Sequence, residues 1–396
     1  MPVINCRHFS GYKPCSLNTV CDSKCPHQSV PSFRLLIIHL GAIGAVVRST
    51  ALLAPILRKY PNAHITWVTQ SPSHQLLIGH SQIDRVLTTR PEDVLTLSAL
   101  EFDAAFCIDK SLAAVGILKQ TKAKQVFGFT ADSQTGAILP ATEDSKYLWQ
   151  LGLSNQEKFF VNKKPETQLV AEALGLEYRR DPYNVELSES EVLESLQRRK
   201  KWASPQEIIV GFNTGCSDVI PYKKLTVDMH RDLIQKVRSL GVKVVLLGGP
   251  EDRIRNQQIA HGQHVVSSPT DRGLRDGLLS VSACDIVVTG DSLGMHMSVA
   301  LGKWTVAWFG PTCEQEIDLY DKGVKVLTQA TCSPCWKRSC LKNPMCYDLV
   351  SSDEILDGVK KGIQWLMSSS TPRLSVISSY QSPYLSRSKK NLQVSL

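Results

Sequence analysis

The segment Gly290-Asp291-Ser292-Leu293-Gly294-Met295-His296 follows an apolar run and precedes a helical pattern. Backbone N–H groups and the dipole at such a helix start suit a diphosphate, which makes Gly294, Met295 and His296 candidate donors. Asp291 is a candidate acceptor for ligand hydroxyls. Two upstream segments fit the same ligand. Asn213-Thr214-Gly215-Cys216-Ser217 follows another apolar run, and Thr214 and Gly215 are placed to offer N–H groups to a phosphate. Lys223, in Tyr222-Lys223-Lys224-Leu225-Thr226, is a compact point charge suited to pyrophosphate. The ordinary alternatives are a helix N-cap for Asp291, a core histidine for His296 and a solvated side chain for Lys223.

Near the other end, Leu35 to Leu40 runs into Gly41-Ala42-Ile43-Gly44-Ala45 and then a helical pattern holding Arg48. Gly41 and Gly44 permit a tight turn and close backbone approach. The spacing is not G-x-G-x-x-G, so a nicotinamide cofactor is not indicated.

Cysteines form a third kind of candidate. Cys332, Cys335, Cys340 and Cys346 share one Pro-containing loop, and Cys6, Cys15, Cys21 and Cys25 share the first thirty residues. Four thiolates at short spacing suit a tetrahedral Zn or Fe site. Each group is therefore a candidate structural metal site, with reduced structural thiols, one shared site or an iron–sulfur cluster as alternatives. A closed four-thiolate site leaves no position for substrate, so the role would be structural. Cys107 and Cys284 read as small buried hydrophobes.

These residues need a scaffold. Apolar strands at 34–40, 64–69 and 103–108 alternate with a helix over 45–60. The alternation restarts with strands at 208–213, 242–247, 285–289 and 304–309, a helix at 226–240 and another at 295–301. That pattern predicts an α/β protein with two doubly wound, Rossmann-like domains. The expected organisation is a Cys-rich segment 1–31, one domain over 32–180 and a second over 181–350 that carries the Cys-rich loop 332–346. A last helix follows over 351–368, then a disordered tail over 369–396. The stretch around 180–206 reads as linker and surface helix.

At 396 residues the chain is long enough for two cores, and 42% hydrophobic content excludes a wholly disordered or fibrous protein. The net charge of +8 comes without dense Lys/Arg blocks, and residues 369–396 hold four basic residues and no acid. Nucleic acid is therefore not an expected partner. No apolar run reaches the roughly 20 residues of a membrane span. With no signal-peptide core either, the expected location is the cytoplasm, and a peripheral contact with an anionic inner membrane is compatible with the basic charge.

Residues 34–87 resemble the start of glycosyltransferase family 9, the ADP-heptose:lipopolysaccharide heptosyltransferases. The matching features are the G-x-x-G turn, Arg48-Ser49-Thr50, Leu57 to Pro61, His64 to Trp67 and Ile83 to Val86. The second half resembles the family in Tyr222 to Thr226, in Asp291 to His296 and in Phe309-Gly310-Pro311-Thr312. Leu293 stands at a usual glycine position, and the glycine follows one residue later.

The resemblance, over about 34–368, implies a GT-B fold with two Rossmann-like domains facing a cleft and a last helix that returns to the first domain. It implies an inverting transfer of heptose from an ADP-heptose-type donor to lipopolysaccharide core, another bacterial glycan or a protein, without a catalytic metal. Thr214, Gly215, Lys223, Asp291, Gly294, Met295 and His296 would bind the donor, with Lys223 also catalytic. Gly41, Gly44 and Arg48 would lie on the acceptor side. The family's general-base aspartate falls at Ala45, and a methyl group accepts no proton. An engineered substitution, a naturally inactive protein, or another base such as His39 or His296 would each account for this. The alternatives in function are a non-catalytic sugar-nucleotide-binding or assembly protein of the same fold, oligomeric or not, and a sugar-nucleotide epimerase.

Overall fold

The computed structural model describes residues 4–9 and 11–368, so the tail over 369–396 lies outside the described residues. Its frame is two six-stranded sheets. The first contains β1 (Phe33–Ile38), β2 (Ala63–Val68), β3 (Arg85–Leu87), β4 (Glu101–Cys107), β5 (Lys122–Ala131) and β6 (Ile138–Pro140). The second contains β7 (Ile209–Asn213), β8 (Lys243–Leu247), β9 (Val266–Ser267), β10 (Ile286–Gly290), β11 (Trp304–Phe309) and β12 (Gly323–Leu327). Strand orders are β3-β2-β1-β4-β5-β6 and β12-β11-β10-β7-β8-β9, parallel apart from the antiparallel β5–β6 pair. Strands such as β2 and β11 are buried at every residue, because helices cover both faces of a parallel sheet.

Counted within each half, the two orders are the same, 3-2-1-4-5-6. The order reverses between β1 and β4 in the first half and between β7 and β10 in the second. Ligand crevices open at the carboxyl ends of the strands at such points. Register brings the ends level: Ile38 pairs with Cys107, and Asn213 pairs with Thr289.

The halves meet through two helices. Ile43–Ser49 of the first half packs against Leu293–Ala300 of the second. Val47 and Ala51 share a core with Tyr183, Met295 and Met297.

Two expectations about helices change. The helix over 45–60 is broken into Ile43–Ser49, a 3₁₀ turn Thr50–Leu52 and Leu53–Lys59. Pro55 has no N–H for the Ala51 carbonyl, and the Thr50 hydroxyl donates back to the Val47 carbonyl at 2.7 Å. The polar stretch near 190 is the expected surface helix, with one face docked through its two buried residues, Ser195 and Arg198. Glu189–Trp202 is capped by Ser188 and Glu191, and Arg198 is buried against Asp276 (2.5 Å) and Ser280 (2.7 Å).

The second change is the last helix, Ser352–Ser368, which stays with the second half. It lies on β10, β11 and β12, and the Trp304 indole N–H donates to the Gly358 carbonyl at 3.0 Å. Gly358 and Gly362 let it approach Val306 and Trp304 closely, which fixes it there. The Cys-rich start has no helix or strand among its described residues, in keeping with its little apolar periodicity. Arg7 ties it down by donating to the Ala63 carbonyl at 2.8 Å and pairing with Asp84 at 3.4 Å. Among the described residues no helix is long and apolar enough to cross a membrane.

Candidate active site

The second half builds its crevice around one amide. Asn213, at the end of β7, donates through Nδ2 to the Gly215 carbonyl (3.1 Å), Thr289 Oγ1 (3.2 Å) and Ser292 Oγ (2.9 Å). These bonds tie the loop after β7 to the loop after β10. At the end of β10, Gly290 has no side chain, and the Lys223 carbonyl occupies the space a Cβ would need. The 3₁₀ turn Pro221–Lys223 therefore lies against the strand end, and Lys223 Nζ comes 3.7 Å from Asp291 Oδ2. Both side chains are mostly buried at the mouth of the crevice.

Helix Leu293–Ala300 starts beside this pair. Its free donors differ from the expected set. The Met295 and His296 N–H groups both donate to the Ser292 carbonyl (3.1 and 3.3 Å), and the Met295 side chain is core. The N–H groups of Leu293 and Gly294 have no partner among the described residues. Thr214 is fully buried, and its hydroxyl donates to Asn256 Oδ1 at 2.5 Å. Gly215 makes room for the Asp252 carboxylate. These two residues shape the loop rather than present side chains.

The first half places His39 at the end of β1 and Asp109 at the end of β4. Asp109 accepts from the Leu40 N–H and faces His39 Nε2 at 3.7 Å. Gly41 lies close over both side chains. Burial lowers the pKa of His39, against the raising effect of Asp109. Ala45 follows in helix Ile43–Ser49, half-buried. One turn on, Arg48 Nη2 pairs with Glu166 Oε2 at 3.0 Å.

Between the halves lies a group of charges with no motif to announce it. Glu316, buried in the turn after β11, approaches Lys158 Nζ at 3.5 Å. Lys158 sits 4.4 Å over the Trp336 ring, and Gln315 Nε2 donates to the Lys158 and Phe159 carbonyls at 3.2 Å. Beyond the cost of its burial, the Arg48 guanidinium responds to Glu166, Glu316 and Asp291, so it belongs to both halves electrostatically. Burial raises the Glu166 carboxyl, but Arg48, Lys110 and Lys158 outweigh that and hold it at about 2. Burial, then the Glu166 charge, pushes Glu316 up to about 7 against Lys158 and Arg48. Burial, then Arg48, pushes His296 down to about 3.

A sequence profile of glycosyltransferase family 9 (heptosyltransferase) matches residues 95–346. The chain belongs to that family. The match begins beyond the Gly41–Arg48 turn and helix, the region that holds Ala45. Lipooligosaccharide heptosyltransferase 2 of Campylobacter jejuni is 31% identical over 85 residues, 21% of this chain and 27% of that relative's length. Lipooligosaccharide heptosyltransferase 2 of Haemophilus influenzae is 22% identical over 307 residues, covering 71% of this chain and 84% of that one. The solved structure of E. coli ADP-heptose LPS heptosyltransferase II superposes with a TM-score of 0.62 at 17% identity, over 85% of this chain and all of that one. The shared architecture is the GT-B fold, two parallel-sheet α/β domains across a cleft.

The cysteines of this family 9 chain do not assemble as expected. Among the described residues no group of three or more His, Cys, Asp or Glu side chains is placed to hold a metal ion. In the 332–346 loop the thiols are near enough that burial, then Cys335, Cys340 and Cys332, raise Cys346 to about 11. They do not close into a coordination shell. In the first segment two of the thiols have separate partners: Cys25 accepts from Asn18 Nδ2 at 3.3 Å, and Cys6 accepts from the Ser29 N–H at 3.5 Å. Arg7 fastens that segment. Cys107 and Cys284 are fully buried small hydrophobes.

Proposed function

We propose that this family 9 protein transfers heptose from an ADP-heptose-type donor to lipopolysaccharide core or a protein acceptor, by inverting displacement. The observation that carries the reading is the convergence of Lys223 and Asp291 at the carboxyl end of β10, beside a helix start with free N–H groups. Lys223 and the Leu293 and Gly294 N–H groups would meet the leaving diphosphate, where negative charge develops. Asp291 would accept from donor hydroxyls. The names of the relatives, lipooligosaccharide heptosyltransferases and an ADP-heptose enzyme, support the donor and acceptor classes.

In this reading residues 32–180 form the acceptor-side domain, with Gly41, Gly44 and Arg48 lining it, and 181–350 form the donor domain. The acceptor oxygen attacks the anomeric carbon, the bond from that carbon to the diphosphate breaks, and the electron pair leaves on ADP. The reaction uses no metal. A structural Zn or Fe in the 332–346 loop would require its four thiols to draw together, and metal analysis of the purified protein tests that. Action at the cytoplasmic face of the inner membrane follows from the acceptor class.

The test is incubation with ADP-heptose and lipopolysaccharide core oligosaccharide. The expected result is release of ADP, a heptose added to the core and an inverted anomeric configuration. One observation favours a second reading, a non-catalytic sugar-nucleotide-binding protein: the methyl group at Ala45. Tight ADP-heptose binding without ADP release would establish it instead.

A further inference from the structure

The transfer proposed above needs a group to take the acceptor's proton, and Ala45 has none to offer. Six carboxylate or imidazole side chains face or flank the cleft: Asp109, Glu166, Asp291, His39, His296 and Glu316. Asp109 holds the Leu40 N–H and faces His39. Glu166 is paired with Arg48 at 3.0 Å. Asp291 stands by Lys223, on the side where the leaving group takes up negative charge. His39 and His296 each have a fully buried Nδ1 without a partner; His39 Nε2 faces Asp109, and the His296 ring packs on Gly44.

Glu316 is different. Asp109, Glu166 and Asp291 are each paired within their own half, whereas its carboxylate is paired across the cleft, with Lys158 of the first half at 3.5 Å. It follows β11, the strand next to β10, so it lies at the same sheet edge as Asp291 but opposite the first half's Arg48–Glu166 pair. The bonds from Gln315 to the Lys158 and Phe159 carbonyls fix that turn across the cleft. We propose that Glu316 is the proton acceptor of the transfer reaction, with Lys158 as a positioning residue.

The step balances as follows. The acceptor's O–H bond breaks and its proton goes to the Glu316 carboxylate. The acceptor oxygen bonds to the anomeric carbon as the bond from that carbon to the diphosphate breaks. ADP departs with the electron pair, and the neutral Glu316 acid returns its proton to water. The groups facing Glu316 are Glu166, Lys158, Arg48 and Asp291. Burial and Glu166 raise the carboxyl to about 7, near the pH at which a general base works best. Glu166, held at about 2, stays ionised beside it. Two carboxylates driven apart in this way commonly divide acid–base and electrostatic roles.

This inference rests on the transferase reading, and the experiment separates the two. ADP release from ADP-heptose, with lipopolysaccharide core as acceptor, is followed from pH 5 to 9. The proteins are the wild type, Glu316→Gln, Glu316→Asp and the double variant Glu316→Gln/Ala45→Asp. Calorimetry measures the ADP affinity of each. Wild-type kcat/KM should rise with pH through about 7 and then level. Glu316→Gln should lose ~10²- to 10⁴-fold in kcat and lose that pH limb, with ADP affinity unchanged to within about threefold. Glu316→Asp should retain part of the rate and the limb. The double variant should regain at least about tenfold, because it returns a carboxylate to the facing helix.

Glu316→Gln turning over like wild type, or keeping the same pH limb, overturns the role of Glu316 and leaves the transferase reading standing. Rate loss with weakened ADP binding overturns it too and makes Glu316 a structural support. A wild type that releases no ADP overturns both.

Discussion

Gly44 and His296 touch across the cleft: the imidazole of His296, on helix Leu293–Ala300, fills the space that a side chain at Gly44 would need. This contact sets how closely the two halves approach. Alanine is the better helix former by up to about 1 kcal/mol, so propensity alone would have Gly44→Ala stabilise the protein. The packing argument has the opposite sign, because overpacking costs ~1–3 kcal/mol. The expected result is a net loss of stability in urea unfolding together with a raised donor KM.

Gly290→Ala probes the donor side. A methyl group there would collide with the Lys223 carbonyl and push the turn carrying Lys223 off the end of β10. ADP affinity should fall about tenfold, roughly 1.4 kcal/mol. Gly116→Ala is the control. That glycine lies in helix Leu112–Lys119 with nothing near its missing Cβ, so the substitution should add roughly 0.5–1 kcal/mol and leave ADP binding alone.

The two cleft glutamates should respond to pH with opposite signs. Glu166 sits at about 2 against an ordinary 4.5. Its stabilising contribution is complete above 4.5 and is lost as pH falls toward 2. Glu166→Gln should therefore cost on the order of 2 kcal/mol at pH 7 and progressively less in acid. Glu316 sits at about 7, so the folded protein binds its proton more tightly than the unfolded chain does. Its contribution is present below 4.5 and is lost as pH rises to 7. The stability of Glu316→Gln relative to wild type should rise over that interval. Denaturant unfolding at a series of pH values reads both.

Arg198→Ala should separate fold from site. Arg198 is buried between Glu194, Asp276 and Ser280, and its hydrogen bonds go to these residues and to no donor residue. Removing it strands the nearly buried Asp276 carboxylate, at a cost of ~3–5 kcal/mol. The midpoint of unfolding should drop, with ADP affinity of the remaining folded protein unchanged.

The strands were legible because they are buried runs of Val, Ile, Leu and Phe between helical patterns; β11 ends where its pattern ends. Short strands such as β3 and β9 carry too few residues to show a period. Lys223 and Asp291 were readable from the turns that carry them. The free N–H groups were not, because which donors a helix start leaves open depends on where the Ser292 carbonyl points. The bond from the Thr214 hydroxyl to Asn256, 42 positions away, has no motif to announce it. Glu316 and Glu166 carry no motif at all. They became candidates only when folding brought residues 150 positions apart to one cleft. The cysteine spacing suggested coordination shells, but spacing does not fix where thiols point.

The most direct measurement is a calorimetric titration of the full chain with ADP, repeated on Lys223→Ala. A nucleoside-diphosphate-sugar site at the end of β10 predicts one site per chain with a Kd of about 1–100 μM. It predicts at least a tenfold loss, about 1.4 kcal/mol or more, in the variant. No binding of ADP by the wild type at millimolar concentration, or equal affinity in the two proteins, would contradict it.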